Sequence, residues 1–269
     1  MTLFAPTNVG DVDLGIAGRT ALVCASTAGL GRATAEALAA EGVNVVISGR
    51  RGDLAREIAT GLPGAHAVPC DITADGAAES LAAEARRLSG ADIDILVLNG
   101  PGPKPAAAAD ISADDTRTAV ETLLIFQQRL VQAVLPGMCR RGWGRIVAIG
   151  SYSVVEPLAN LALSNIGRSA LAAYLKTLAT EVGPDGVTAN MVLPGRIDTD
   201  RIRALDAAQA ERDGRSVSDV AAANAASVPL RRYGTPAEFG AVTAFLCSEQ
   251  AAYMTGSAVR CDGGVVHHL

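Results

Sequence analysis

Residues 20–48, TALVCASTAGLGRATAEALAAEGVNVVIS, decide the fold. They contain two short apolar runs rich in branched residues, ALVCA and VNVVIS, which are typical of buried strands in a parallel sheet. Between these runs, Thr34, Ala35, Leu38 and Ala39 recur at helical spacing. The stretch therefore predicts a strand, a helix and a second strand parallel to the first.

A glycine-containing turn joins the first strand to the helix. Glycines at this position let backbone N–H groups approach a phosphate, and the helix N-terminus adds partial positive charge. We therefore expect Ser26, Gly29, Leu30 and Gly31 to contact a dinucleotide. The usual fingerprint opens with a further glycine, whereas Ala25, or Ser26 if the turn is shifted by one, stands here. An ordinary tight turn is the alternative, but the complete strand–helix–strand unit favours dinucleotide binding.

Composition limits the classes of function. The 269 residues are 49% hydrophobic and 19% charged, which is enough for one large α/β domain. The net charge of −5 does not suggest a nucleic-acid partner. There is neither an apolar run that could span a bilayer nor the pattern of a secretory signal at the N-terminus. The five scattered cysteines include no CxxC pair, so we expect reduced thiols, no metal site and a cytoplasmic protein.

Two arginines follow the second strand and bear on the choice of cofactor. An acidic residue near this strand end would bind the ribose 2′-hydroxyl of NAD, but no Asp or Glu occurs within residues 43–52. Arg50 and Arg51 lie there instead, and a guanidinium matches the geometry and charge of a 2′-phosphate. We therefore predict NADP rather than NAD. A solvated charged pair is the alternative.

The rest of the chain alternates apolar strands with helical segments. Further strands are predicted at AHAVPCDIT, IDILVLNG, WGRIVAIGS, VTANMVLPG and SAVRC. Helices are predicted over 75–89, 112–139 and 159–182, and another begins with Thr235 as N-cap and Pro236 as first helical residue. This alternation predicts a single Rossmann-type α/β domain over 18–269, a doubly wound parallel sheet in three layers.

Two segments do not belong to this alternation of strands and helices. Residues 198–228 are alanine-rich and charged, so we predict a helical, mobile lid over the substrate. Residues 1–17 precede the first strand and form either an arm against a neighbouring subunit or a loose terminus.

Ligands of such sheets bind beyond the carboxyl ends of the strands. We therefore expect one cleft formed by Gly29, Gly31, Arg50, Asp71, Asn99, Ser151 and Pro194.

Several short motifs in order resemble the short-chain dehydrogenase/reductase family, from about residue 18 to 264. They are ASTAGLG, CD at 70–71, LNG at 98–100, GRIVAIGS at 144–151, LPGRIDTD at 193–200, RYGTPAEFG at 232–240 and YMTGSAVRCDGG at 253–264. The resemblance implies oxidoreductase activity on a small molecule and a homo-oligomer, a tetramer or a dimer, formed through the helices at 112–139 and 159–182.

The resemblance also implies cofactor contacts. Asp71 would contact the adenine and Asn99, followed by Gly100, the adenosine ribose. In the segment that begins with Pro194 and Gly195, Ile197 would contact the nicotinamide carboxamide and Thr199 the pyrophosphate. For Asp71 and Thr199, helix capping is the alternative role.

The catalytic group departs from the family. Ser151 matches the family's serine, but the usual intervals place Ser164 and Arg168 where the family has the Tyr and Lys of YxxxK, and Leu123 where it has an Asn. A serine alcohol is a far weaker acid than a phenol, so Ser164 replaces the proton donor poorly. Arg168 lies on the same helical face and can hold ribose hydroxyls or a substrate carboxylate, but it stays charged. A helix surface with an interface ion pair is the alternative.

Nearby residues are candidates for the missing acid or base. Tyr152 reaches the site only if the chain turns directly after Ser151, and Ser153 and Glu156 lie in the same substrate-side loop. Three functions remain open. We favour an NADP-dependent oxidoreductase with an atypical catalytic group over a non-redox isomerase, dehydratase or cyclase, and over an inactive NADP-binding subunit.

Overall fold

The fold is a twisted parallel sheet between two layers of helices. The computed structural model describes residues 12–268, and within them the sheet has seven strands in the order β3-β2-β1-β4-β5-β6-β7, all parallel. The strands are β1 Thr20–Val23, β2 Asn44–Gly49, β3 His66–Pro69, β4 Ile95–Leu98, β5 Gly144–Ile149, β6 Val187–Pro194 and β7 Ala258–Cys261. The predicted doubly wound, three-layer α/β/α fold is confirmed.

The helices lie on both faces of this sheet. They are α1 Gly29–Ala40, α2 Gly52–Thr60, α3 Ala77–Ser89, α4 Ala113–Val120, α5 Phe126–Arg141, α6 Ala162–Val182, α7 Asp200–Asp213, α8 Val217–Ser227 and α9 Pro236–Leu246. Alternate side chains of β4 point to opposite faces: Ile95 and Val97 pack with α1 and α9, whereas Leu96 and Leu98 pack with α3, α5 and α6. Both faces of the strand are therefore apolar, as a doubly covered sheet requires.

The observed helix boundaries correct several predictions. The helix predicted over 112–139 is interrupted by a π-helical turn, Glu121–Ile125, between α4 and α5. The helix predicted from residue 75 begins at Ala77 because Gly76 precedes it in the left-handed conformation. Helix α2 was not predicted. The N-terminal signal of α9 is confirmed, since Thr235 and Glu238 form a capping box.

The described part of the N-terminal segment packs against the domain. Ile16 is fully buried in the core, and the Leu14 carbonyl accepts a hydrogen bond from the backbone N–H of Glu249 at 3.0 Å. Residues 1–11 of the predicted arm lie outside the described residues. The predicted lid is helical, formed by α7 and α8. None of the helices between residues 12 and 268 is both long and apolar enough to cross a membrane.

Candidate active site

The carboxyl ends of the strands border one large cleft of about 860 Å³. It extends from the turn after β1 to the loops after β4, β5 and β6, and residues of α7 line one side. This volume is within the range of small-molecule and cofactor sites. Most predicted site residues line it: Gly29, Leu30, Arg50, Arg51, Asp71, Asn99, Gly100, Ser151, Tyr152, Ser164, Arg168, Pro194, Gly195, Ile197 and Thr199.

The turn after β1 is shaped by backbone conformation. Ala25 adopts a φ of 45° and Gly29 a φ of 56°, both in the left-handed region. Ala25 therefore takes the position of the first glycine of the fingerprint. The alternative alignment, in which Ser26 takes that position, is excluded. A Cβ atom on Gly31 would lie 2.6 Å from the Ala25 carbonyl oxygen and 2.7 Å from Nδ2 of Asn99. Only glycine therefore fits at position 31 without a shift of the backbone.

Ser26 does not line the cleft, and its predicted cofactor contact is corrected. The residue is fully buried; its hydroxyl donates to the Val23 carbonyl at 2.8 Å and accepts from the backbone N–H of Ser48 at 3.0 Å. Its own backbone N–H donates to the Ser48 carbonyl at 2.8 Å. Ser26 therefore links the turn to β2 through hydrogen bonds to Ser48. Gly31 is buried as well, and its contribution is close packing beneath the turn.

The two arginines after β2 lie exposed at the rim of the cleft. Arg51 donates to the carbonyl oxygen and to Oγ1 of Thr27, both at 3.3 Å, so its guanidinium leans over the turn. No ion pair joins Arg50 or Arg51 to a carboxylate elsewhere in residues 12–268. Two cations are therefore available to an anionic group at this end of the cleft.

Asp71 and Asn99 end β3 and β4 at the same rim. The Asp71 carboxylate accepts from the backbone N–H of Thr73 at 3.0 Å and from its hydroxyl at 2.7 Å, and these bonds lower the pKa of the carboxyl. Asp71 does not cap α3, whose N-cap is Gly76. Asn99 donates from Nδ2 to the Ala25 carbonyl at 3.2 Å, which ties β4 to the turn and leaves Oδ1 as an acceptor.

The segment after β6 forms the opposite wall. A Cβ atom on Gly195 would lie 2.6 Å from Cα of Asp262, so the chain passes too close to the C-terminal segment for any other residue. Ile197 is almost fully buried, and its backbone pairs with Gly234. The Thr199 hydroxyl accepts from the backbone N–H of Ile202 at 3.4 Å and caps α7. The alternative role of Thr199 as a helix cap is thus real, although the residue also lines the cleft.

The chain turns directly after Ser151, which brings Tyr152 to the cleft. A 3₁₀ turn spans Tyr152–Val154, and Oγ of Ser151 accepts from the backbone N–H of Ser153 at 3.1 Å. Burial raises the pKa of the Tyr152 phenol, which therefore stays protonated at neutral pH.

The other two predicted pocket residues lie elsewhere, and these predictions are corrected. Ser153 is fully buried and does not line the cleft, because the 3₁₀ turn directs it into the protein. Glu156 is half-buried beyond the turn, outside the residues that line the cleft. A general base at Glu156 is thus not supported by its position.

Ser164 and Arg168 lie together in the floor of the cleft on α6. Arg168 donates from Nε to the Ser164 hydroxyl at 3.2 Å and from Nη1 to the Ile149 carbonyl at 2.6 Å. Burial, followed by the charge of Arg201, lowers the pKa of Arg168 to about 10. Arg168 forms no salt bridge within the described chain, and an ion pair with a neighbouring subunit stays an alternative. The guanidinium of Arg168 is fixed at the end of β5.

Leu123 packs against α6 and does not line the cleft. It lies in the π-helical turn, is buried, and faces α6 at Gly167. A Cβ atom on Gly167 would lie 2.7 Å from Cβ of Leu123. The position therefore serves helix packing.

Arg201, on the first turn of α7, is a cleft residue that the sequence analysis did not single out. It crosses the cleft and donates from Nη2 to the Pro103 carbonyl at 2.7 Å, while its guanidinium lies 3.1 Å from the position of a Cβ atom on Gly102. The signal that could have found it is its place two residues after Thr199, in the segment that follows a strand end of the sheet.

The match to known proteins extends over nearly the whole chain. The family model described as enoyl-(acyl carrier protein) reductase matches residues 24–266. The 3-oxoacyl-(acyl-carrier-protein) reductase FabG of Escherichia coli is 34% identical over 252 residues, covering 92% of this chain and 97% of that protein. Dehydrogenase/reductase SDR family member 4 of Bos taurus is 33% identical over 257 residues, covering 93% and 88%.

The chain belongs to the short-chain dehydrogenase/reductase family. Solved structures agree. L-sorbose reductase of Gluconobacter frateurii, complexed with NADPH and L-sorbose, has a TM-score of 0.89 at 30% identity and covers 96% of this chain and 100% of that one. Actinorhodin polyketide ketoreductase with NADPH has a TM-score of 0.88 at 28% identity and covers 93% and 98%. The predicted family is confirmed. Both of these solved structures contain NADPH.

Proposed function

We propose that this protein is an NADP-dependent oxidoreductase that interconverts a carbonyl and an alcohol on a small molecule, with an atypical catalytic group. The observation that carries the proposal is a turn with the backbone conformation of a nucleotide site beside two arginines, Arg50 and Arg51, that form no salt bridge in the described chain. The names of the relatives, which are reductases, support the same class of reaction.

The residues of the turn fit a dinucleotide. The glycine conformation at Gly29 and the close packing at Gly31 keep side chains away from the N-terminus of α1, where backbone N–H groups would hold a pyrophosphate. Arg50 and Arg51 would hold the 2′-phosphate, and Oδ1 of Asn99 would accept from a ribose hydroxyl. When bound, NADPH supplies a hydride to the carbonyl carbon.

The chain's own residues would orient the substrate and supply a proton. The Ser151 hydroxyl, at the end of β5, donates to the substrate oxygen and polarises the carbonyl. Tyr152 is the tyrosine that lines the cleft within residues 12–268, and its phenol is the nearest candidate donor in sequence to Ser151. Since burial raises the pKa of that phenol, it is a weaker acid than the activated tyrosine of the family. Arg168 stays charged at neutral pH and moves no proton.

Cofactor choice is tested by titrating the protein with NADPH and with NADH, followed by fluorescence. We expect tighter binding of NADPH, and we expect Arg51→Ala to weaken it by about tenfold or more because one charge-assisted bond is lost. Arg56→Ala is the matched control, since Arg56 lies on the next helix, is exposed and pairs with Asp53 at 2.6 Å. Equal affinities for the two cofactors, with no effect of Arg51→Ala, would contradict the assignment.

Catalysis is tested by NADPH oxidation at 340 nm across a panel of carbonyl compounds. Ser151→Ala should lower kcat by about 100-fold or more while the Kd of NADPH stays unchanged, because the hydroxyl acts on the substrate oxygen. Tyr152→Phe distinguishes the two proton sources: a fall in kcat assigns the proton to the phenol, and an unchanged kcat assigns it to water. Turnover without NADPH oxidation would favour the non-redox alternative. An absence of all turnover would favour the inactive subunit.

A further inference from the structure

The charges that line the cleft are unlike those of the whole chain. The charged side chains that line it, among the described residues, are six arginines and three aspartates, whereas the whole chain carries a net charge of −5. The arginines are Arg50, Arg51, Arg168, Arg196, Arg201 and Arg212, and the aspartates are Asp71, Asp200 and Asp206. The cleft is therefore a local basic site in an acidic protein. Such a site attracts anions.

Two of the aspartates are already paired with arginines. Asp206 is buried and accepts from Arg196 at 3.4 Å, and it also accepts from Asn224 at 2.8 Å and from Tyr233 at 2.7 Å. Asp200, on the first turn of α7, pairs with Arg203 at 2.7 Å. These carboxylates therefore do not neutralise the cations in the floor of the cleft.

Arg168 and Arg201 are the cations left at the end of the cleft that holds Ser151, since Arg212, which also forms no salt bridge in the described chain, lies in the last turn of α7, about three helical turns from Arg201. Both line the cleft, and the charge of Arg201 contributes, after burial, to the lowered pKa of Arg168. Neither forms an ion pair with any carboxylate of the described chain. Arg168 is half-buried and Arg201 is exposed. Two like charges that share a cleft and lack a carboxylate partner repel each other, and a bound anion would relieve that repulsion.

Both guanidiniums are also held in position by neutral acceptors. Arg168 is fixed by the carbonyl of Ile149 and the hydroxyl of Ser164, and Arg201 by the carbonyl of Pro103. These bonds use Nε and Nη1 of Arg168 and Nη2 of Arg201, which leaves further N–H donors on each planar group. A carboxylate, with two acceptor oxygens, matches donors of this kind.

We infer that Arg168 and Arg201 bind a carboxylate on the substrate, which makes the substrate an oxo acid or the corresponding hydroxy acid. The inference rests on the proposed function for the position of the reacting carbonyl at Ser151. Arg168 holds the carboxylate from the floor of the cleft, and Arg201 from the mouth, where it joins α7 to the loop at 102–103.

The test measures binding rather than turnover. Isothermal titration, at constant ionic strength, compares pyruvate, acetoacetate and levulinate with their neutral amides, on the protein alone and on the protein saturated with NADP⁺. The three acids vary the distance between carbonyl and carboxylate. We expect at least one acid to bind about tenfold or more tightly than its amide, because the amide cannot pair with a guanidinium. Inorganic phosphate is a further arm, and tighter binding of phosphate than of every acid would overturn the assignment to a carboxylate.

Matched variants show which residues cause the preference for the acid over its amide. Arg201→Gln and Arg168→Gln should each remove the preference for the acid, whereas Arg168→Lys should retain part of it because the charge is kept. Arg203→Gln is the control: Arg203 is on the same helix, is exposed and pairs with Asp198 and Asp200, and its loss changes the net charge equally. Since Arg201 is an exposed residue, its variant keeps the test valid if Arg168→Gln does not fold.

The outcomes separate this inference from the proposed function. Acids that bind no better than amides, or an equal loss in Arg203→Gln and Arg201→Gln, would overturn the inference. So would a raised Kd for NADP⁺ in Arg168→Gln and Arg201→Gln with unchanged acid binding, because the pair would then belong to the cofactor's phosphates. If the acids bind as expected but NADPH does not bind, the proposed oxidoreductase fails and the carboxylate site stands.

Discussion

Replacement of Ala25 by glycine should stabilise the protein. Ala25 has a φ of 45°, where an L side chain meets the following carbonyl at a cost of about 1–2 kcal/mol. Glycine removes this strain but loses about 0.5–1 kcal/mol through the greater freedom of the unfolded chain. At the midpoints of these ranges the net gain is about 0.75 kcal/mol, which raises Tm by about 2–3 °C in a domain of this size.

Ala28→Gly is the control within the same turn. Ala28 also lines the cleft, but its φ of −164° and ψ of 168° are extended, so glycine relieves no strain there. Ala28→Gly should lower the free energy of unfolding by about 0.5–1 kcal/mol. Differential scanning fluorimetry and urea denaturation measure both variants against the wild type. A loss of stability in Ala25→Gly equal to that in Ala28→Gly would refute the assigned left-handed turn.

Two further predictions concern packing and pH. Gly31→Ala should lower the free energy of unfolding by about 1–3 kcal/mol and weaken NADPH binding, because the new Cβ atom would displace the carbonyl of Ala25; an unchanged urea midpoint would contradict this. Hydrogen bonds from Arg232 and from a backbone N–H lower the pKa of Glu238 to about 2, so its stabilising effect is present above the unfolded pKa, near 4.3, and is lost as pH falls towards 2. Glu238→Gln should therefore lower Tm at pH 7, and the difference from wild type should shrink between about pH 4 and pH 2; a difference that is constant from pH 7 to 3 would disprove the assignment.

The sheet was predictable because its strands carry their own signal. In β4 and β5 nearly every residue is apolar, as required when helices cover both faces. The π-helical turn was not predictable, since ETLLI keeps a helical pattern of apolar residues through the change of hydrogen bonding. Helix α2 was missed because its nine residues, GDLAREIAT, carry only a short apolar stripe.

The candidate site was predictable in outline but not in the direction of its side chains. Residue types at strand ends placed Asn99, Arg51 and Ser151 at one cleft, because parallel strands end on the same edge. The sequence could not show that the hydroxyl of Ser26 points away from the cleft, since that depends on its bond to β2. Nor could it identify Arg201, because its approach to Arg168 depends on how α7 packs over the sheet.

We propose that this cleft transfers a hydride with Ser164 and Arg168 at the positions where the family has its tyrosine and lysine. The most direct measurement incubates the protein with NADPH stereospecifically deuterated at C4 and a panel of oxo acids and other carbonyl compounds, and analyses the products by mass spectrometry and NMR. We expect a deuterium on the new carbinol carbon of one alcohol, in one configuration, and its loss in Ser151→Ala. A product formed without deuterium from the cofactor would contradict it.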